Sequence, residues 1–438
     1  MISTPICDFV REYAAKDPAR LHMPGHKGKG PLGIEALDIT EIDGAGSLYE
    51  AGGIIAGSEA NASGLFGART FYSAEGSSLA IRAMLCLALR GKKHPRVLAG
   101  RNAHRAFLSA AALLGFDVDW LHPKPGDAYH SCAVEPADIA AALDAGHYDA
   151  VYLTSPDYLG HVADVAGIAA ECQKRRVPLL VDGAHGAYLK FLSPSRHPID
   201  LGADMCCDSA HKTLPAITGG AYLHLRPDDP ENRAAGAKSA LALFGSSSPS
   251  WLVLQSLDAC NRYLENYPAR LAAFLPRLEA LKGRLAARGF ALIGDEPLKI
   301  TVDAAAFGYS GDALAEALAG KNIFCEFHEP DFVTLMLTPE NAADLPRLEE
   351  ALLAIPRRDP AGAAPPAYHV PEAAMSVREA MLAARETLPV RDCAGRVLAD
   401  IAASCPPCVP VAMPGERIDA ETVERLEYYG IHDCDVIK

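Results

Sequence analysis

Apolar residues along this chain fall into short bursts separated by longer stretches with helical spacing. Bursts at 70–73, 96–99, 118–121, 150–154, 178–182, 201–207 and 221–225 read as strands. Between them, 79–90, 103–114, 136–145 and 168–176 read as helices. The strands are almost continuously apolar, so both faces are covered, and strand–helix alternation of this kind builds a mostly parallel α/β sheet. A helix within residues 1–20 places Phe9, Val10 and Tyr13 on one face, and another runs over 58–67 to a stop at Gly67. Residues 241–250 form a polar turn that caps a helix from Trp251, and helices continue to about Arg288. Strands at 290–293, 298–302, 323–326 and 333–337, with helices at 313–318 and 342–354, make a small α+β unit. A Pro- and Ala-rich linker follows at 357–371, then a tail with helices near 377–385 and 421–429. The expected division is an N-terminal arm (1–57), a large domain (58–265), a small α+β domain (266–356), the linker (357–371) and a C-terminal domain (372–438).

In such sheets ligands sit at the carboxyl ends of strands. Four polar clusters fall at those ends: Ser73–Ser78, Asp157, Asp182–His185 and Ser209–Lys212. Lys212 lies in Asp208-Ser209-Ala210-His211-Lys212-Thr213, between two apolar runs. A lysine so placed is either a solvated loop residue or the amine that forms a Schiff base with an aldehyde cofactor. Gly76-Ser77-Ser78 opens a helix straight after a strand. Its N–H groups and hydroxyls suit a phosphate, although a serine N-cap is the plainer reading. Asp182 ends the run Leu179-Leu180-Val181 and is costly to bury without a partner. It either caps the next turn or pairs with a protonated pyridine nitrogen. Convergence of these clusters points to an enzyme.

Composition changes this picture little. The chain has 438 residues, half of them hydrophobic and 22% charged, as expected for a folded enzyme and not for disorder. A net charge of −14 argues against nucleic acid or an anionic membrane as partner and suits a basic small substrate. No apolar run reaches the roughly 18 residues of a membrane span, and the N-terminus carries no secretory pattern. Twelve scattered cysteines are then expected to be reduced, in a cytoplasmic protein. Cys206-Cys207 read as small core residues. Cys405-Pro406-Pro407-Cys408 has redox or zinc spacing, but no second pair follows and the prolines favour an extended turn, so no metal is expected.

Several motifs together carry a family resemblance. They are His22-Met23-Pro24-Gly25-His26-Lys27-Gly28, Gly76-Ser77-Ser78, Arg101-Asn102-Ala103-His104, Thr154-Ser155-Pro156-Asp157-Tyr158-Leu159-Gly160, Asp182-Gly183-Ala184-His185-Gly186, Ser209-Ala210-His211-Lys212 and Pro414-Gly415-Glu416. With these the chain resembles the ornithine/lysine/arginine decarboxylases of fold-type I, in their short biosynthetic form without an added N-terminal domain. The resemblance implies pyridoxal 5'-phosphate as cofactor and decarboxylation of a basic amino acid, arginine favoured, with agmatine as product. It implies Lys212 as the Schiff-base lysine, with Gly76, Ser77, Ser78 and Ser209 on the phosphate and His211 beside the cofactor. His104 would stack on one face of the ring and Ala184 on the other. Asp182 would hold the ring nitrogen, and His185 would position the substrate or the ring oxygen. Ser246 to Ser248 would reach a neighbour's phosphate in a homodimer or a multimer of dimers. Lys212 and His211 are the candidates for proton return to the substrate, and Glu416 and Glu326 for its distal cation. One departure is Thr213-Leu214-Pro215 after the lysine, where the family has small residues and then Gln. An aminotransferase on the same fold would need an arginine for the substrate carboxylate, with Arg378, Arg385 and Arg396 as candidates. A non-catalytic cofactor-binding protein is the remaining alternative.

Overall fold

The computed structural model describes residues 1–50, 52–124, 128–360, 365–402 and 408–438. In chain order the elements are α1 (Pro5–Ala15), α2 (Gly53–Phe66), β1 (Arg69–Ser73), α3 (Gly76–Leu89), β2 (Arg96–Gly100), α4 (Arg105–Leu114), β3 (Asp117–Leu121), α5 (Pro136–Ala145), β4 (Ala150–Thr154), α6 (Val165–Arg175), β5 (Leu179–Asp182), β6 (Met205–Asp208), α7 (Ala210–Thr213) and β7 (Ala221–Leu225). They continue with α8 (Ala237–Phe244), α9 (Trp251–Leu264), α10 (Tyr267–Arg288), β8 (Ala291–Ile293), β9 (Lys299–Asp303), α11 (Gly311–Ala319), β10 (Phe327–His328), β11 (Phe332–Met336), α12 (Leu345–Leu353), α13 (Val377–Leu382), β12 (Arg385–Pro389), α14 (Ala420–Tyr428) and β13 (Asp433–Ile437). They belong to two compact units, each discontinuous in sequence: Met1–Gly91 with Pro178–Ala269, and Lys92–Val177 with Arg270–Lys438.

In the first unit the strand order is β1-β7-β6-β5. β5 and β6 are parallel, pairing Leu180 with Met205 and Asp182 with Cys207. β7 runs antiparallel to β6 and to β1. Two reversals restore direction, so β1, β6 and β5 end on the same sheet edge. The turns after them carry Gly76–Ser78, Ser209–Lys212 and Gly183–His185. β5, β6 and β7 are buried along their whole length, which is why their sequences are apolar throughout. α2 ends where Gly67 turns left-handed at φ 62°. The inward face of α1 is Ile6, Cys7 and Val10, whereas Phe9 and Tyr13 are half-buried; Tyr13 instead bonds the His22 ring at 2.7 Å.

In the second unit β2 lies between β3 and β4, parallel to both. The antiparallel sheet β10-β11-β9-β8 carries α11. At the C-terminus β12 pairs antiparallel with β13 around a small core that includes Val390, Leu398, Val411, Ile418, Leu426 and Val436. Among the described residues no helix is long and apolar enough to cross a membrane. No disulfide joins the described cysteines.

Four expectations are corrected. Residues 323–326 are not a strand: Asn322 turns left-handed at φ 62°, the Glu326 N–H donates to Thr334 O at 3.0 Å, and β10 itself starts at Phe327. The tail helix stops at Leu382 and the chain enters β12 at Arg385. The stretch 342–354 divides into a 3-10 turn, Pro339–Ala343, and α12. α8 occupies residues expected to lie partly in a polar turn. Residues 361–364 of the expected linker and residues 405–407 of the Cys405–Cys408 turn lie outside the described residues.

Candidate active site

Lys212 stands on α7, a single helical turn between β6 and β7. The His211 backbone N–H and side-chain Nδ1 both meet the Gly220 carbonyl, at 3.1 and 2.9 Å, which ties this turn to the start of β7. The Lys212 backbone N–H donates to Ser209 O at 3.1 Å. Its half-buried side chain brings Nζ to 2.9 Å from His185 Nε2. A lysine ammonium can only donate, so with Lys212 charged, Nε2 of His185 accepts. The pair comes from two parallel strand ends and depends on the packing of the turns that follow them.

Asp182, at the end of β5, is 1% exposed. Its Oδ1 accepts the Ala184 N–H at 3.1 Å and the Cys207 thiol at 3.5 Å. Gly183 donates its N–H to Cys207 O at 2.9 Å. A Cβ on Gly183 would lie 2.8 Å from Asp208 Oδ1 and 2.9 Å from Cys206 Sγ, so only glycine fits between the strands there. The carboxylate is held at the sheet edge by its own turn and by the neighbouring strand.

The turn before α3 completes the set. Gly76 adopts φ 69° and donates to Gly219 O at 2.8 Å. The N-cap residue of α3, Glu75, makes no side-chain capping bond to the helix. Ser209 Oγ donates to Ser77 Oγ at 2.9 Å, so hydroxyls from two separate turns meet beside that helix start. The Ser246 N–H donates to Glu75 Oε1 at 2.6 Å, tying the Ser246–Ser248 loop to the same turn within one chain.

Next to this site lies a cluster that sequence reading missed. Asp208 Oδ2 receives His197 Nε2 at 2.9 Å and His224 Nε2 at 3.1 Å, all three side chains being fully buried. Burial alone would raise the Asp208 carboxyl, but the two imidazoles outweigh it and hold the group well below the usual carboxylate range. The three residues are grouped as metal ligands would be. Hydrogen bonds account for the arrangement without an ion.

Other candidates lie in the second unit. His104 caps α4, its Nδ1 accepting the Ala106 N–H at 3.1 Å. Asp157 accepts Ser131 Oγ at 2.7 Å and the His161 N–H at 2.9 Å. Glu416 is buried and committed to Arg101, whose Nη2 lies 3.0 and 2.8 Å from its two oxygens; the Met413 N–H adds a third bond at 2.7 Å. A carboxylate so engaged is not poised for a substrate cation. Glu326 accepts the Tyr158 hydroxyl at 3.1 Å and lines a cavity of about 340 Å³ with Asn322, Cys325 and Asp344. The arginines of the aminotransferase alternative are engaged elsewhere: Arg378 with Ala112 O, Arg385 with Asp400, and Arg396 with Glu386.

Three chemistries meet in the first unit: a primary amine for an aldehyde, hydroxyls and a helix start for a phosphate, and a buried carboxylate for a protonated ring nitrogen. That donor set fits pyridoxal phosphate.

Comparison with known proteins agrees. The Orn/Lys/Arg decarboxylase major domain matches residues 4–273, and the C-terminal domain of the same family matches 364–433. The chain is 31% identical to the uncharacterized protein YaaO of Bacillus subtilis, over 97% of this chain and 94% of that one. It is 27% identical to an arginine decarboxylase of the same organism, over 97% and 93%. Its fold is that of the Francisella novicida lysine decarboxylase LdcF, with a TM-score of 0.79 at 16% identity, covering 100% of this chain and 81% of that one. The strand ends that gather Lys212, Asp182 and the two serines thus belong to a member of the Orn/Lys/Arg decarboxylase family, a pyridoxal-phosphate-dependent amino-acid decarboxylase of fold-type I.

Proposed function

We propose that this enzyme decarboxylates arginine to agmatine for polyamine synthesis, with lysine and ornithine as the alternative substrates. The contact between Lys212 Nζ and His185 Nε2, beside the buried Asp182 carboxylate, carries the catalytic part of this reading. The similarity to an arginine decarboxylase supports the choice of substrate.

Bound pyridoxal phosphate supplies an electron sink for the bond to the departing carboxylate. Lys212 would hold the cofactor through Nζ, and its amine would return a proton to the substrate α-carbon. His185 Nε2, in contact with Nζ, accepts from the ammonium and keeps the amine directed. His211, anchored by Gly220 O, is the second candidate for that proton. Asp182 would keep the ring nitrogen protonated and so keep the electron sink open. Ser77, Ser78, Ser209 and the N–H groups from Gly76 onward would bind the phosphate, and Ala184 would lie against the ring. The stacking role of His104 is part of the same proposal. A cation gripping the departing carboxylate would stabilise the ground state more than the transition state, so a tight grip there is not expected. For the distal cation the proposal keeps Glu326; the burial of Glu416 against Arg101 speaks for a structural role.

The proposal extends to a cytoplasmic homodimer or multimer of dimers with shared active sites and to the five-part division of the chain from arm to C-terminal domain. Borohydride reduction of the loaded enzyme followed by peptide mapping tests the cofactor assignment. Label on the peptide containing Lys212 supports it, and label on any other lysine overturns it.

A further inference from the structure

Asp182 is braced from the neighbouring strand by a cysteine. Asp182 and Cys207 are register partners of the parallel pair β5–β6. The main chain joins them through the Gly183 N–H on Cys207 O at 2.9 Å, and the side chains through the Cys207 thiol on Asp182 Oδ1 at 3.5 Å. Cys207 is fully buried. Burial pushes its thiol well above the usual value, and the charges of Asp182 and Asp208 push it further, so it stays protonated and donates. Alternation along the strand turns Cys206 the other way, toward Asp208, with Sγ 3.6 Å from Oδ1.

We propose that Cys207 is a positioning residue for the cofactor ring: its S–H on Asp182 Oδ1 sets how strongly that carboxylate holds the ring-nitrogen proton. The inference rests on the reading of Asp182 as the ring-nitrogen partner. A thiol is a weak donor. It fixes the carboxylate without neutralising much of its charge, which leaves Asp182 a stronger base than a hydroxyl in the same place would. Replacing S–H by O–H stabilises the carboxylate and weakens its hold on the ring proton. Removing the donor does the reverse.

The test uses holoenzyme carrying pyridoxal phosphate labelled at the ring nitrogen, with the nitrogen chemical shift read by NMR at one pH. Cys207→Ser is expected to move the shift toward the unprotonated side and Cys207→Ala toward the protonated side. Cys206→Ser, on the opposite strand face, is expected to leave it in place. A packing role alone would alter thermal stability and leave the shift at its parent value. Shifts for both Cys207 variants that equal the parent, or that move together, overturn the inference; if Cys207→Ala does not fold, an unmoved shift in the near-isosteric Cys207→Ser does so alone. Asp182→Asn separates the two readings. If that variant also leaves the nitrogen unchanged, the assignment of Asp182 itself has failed.

Discussion

Lys212 Nζ and His185 Nε2 meet at 2.9 Å, although 27 positions separate them in the chain. β5 and β6 are parallel neighbours, so the turns that follow them leave the sheet side by side. The contact is a product of topology, and the chemistry assigned to Lys212 depends on it. Replacing Lys212 by Ala should remove borohydride labelling and lower CO2 release by about 10²–10⁴-fold, the range for losing a positioned proton donor. Folding, followed by circular dichroism, should be unaffected.

Gly183 separates two packed strands. Gly183→Ala drives a Cβ against Asp208 Oδ1, Cys206 Sγ and Cys207 O, none of which is the end of a flexible side chain. The expected cost is about 1–3 kcal/mol, the range for overpacking a core. Cofactor affinity should fall with it, because Asp182 moves. Thermal unfolding of the apoenzyme and cofactor titration measure the two effects separately.

The Arg101–Glu416 ion pair predicts stability rather than substrate choice. Glu416→Ala leaves a buried guanidinium unpaired and should cost about 3–5 kcal/mol. A double replacement, Arg101→Met with Glu416→Leu, should cost markedly less. If Glu416 bound the substrate's distal cation instead, the single variant would raise KM with little change in unfolding temperature.

Buried His130 and Glu329, with Nε2 and Oε1 3.3 Å apart, titrate with opposite consequences for stability. Burial lowers His130 to about 4, with Asp157 opposing the shift. Its unfolded value is higher, so the unfolded chain takes up protons first, and stability falls as pH drops from about 6.5 toward 4. Burial raises Glu329 well above the usual range, and Asp331 adds to the shift. The folded state then holds its proton longer, so this group lowers stability as pH rises above about 4.3. Glu329→Gln should raise the unfolding temperature at neutral pH, and the gain should vanish below about pH 4. An unchanged difference across that window contradicts the assignment.

Much of the fold was legible because covered parallel strands advertise themselves as apolar runs. β4, β7 and α5 fall on the residues expected of them. Residues 323–326 were misread because Ile323-Phe324-Cys325 have strand composition, but Phe324 is 78% exposed and the ladder to β11 starts only with Phe327 opposite Thr334. Candidate chemistry at Lys212, Asp182 and the serines was legible from polar residues interrupting apolar runs at strand ends. Pairings across strands were not. Nothing in the order of residues says that Cys207 lies opposite Asp182, that two histidines converge on Asp208, or that Arg101 claims Glu416 across 315 positions. Those contacts depend on register and sheet order, which local composition does not encode.

The most direct test is to offer arginine, lysine and ornithine separately to the cofactor-loaded enzyme and measure CO2 release and the amine formed. Agmatine from arginine, well ahead of cadaverine or putrescine from the other two, is the predicted result. Absence of CO2 from all three, with the cofactor still held on Lys212, would contradict it.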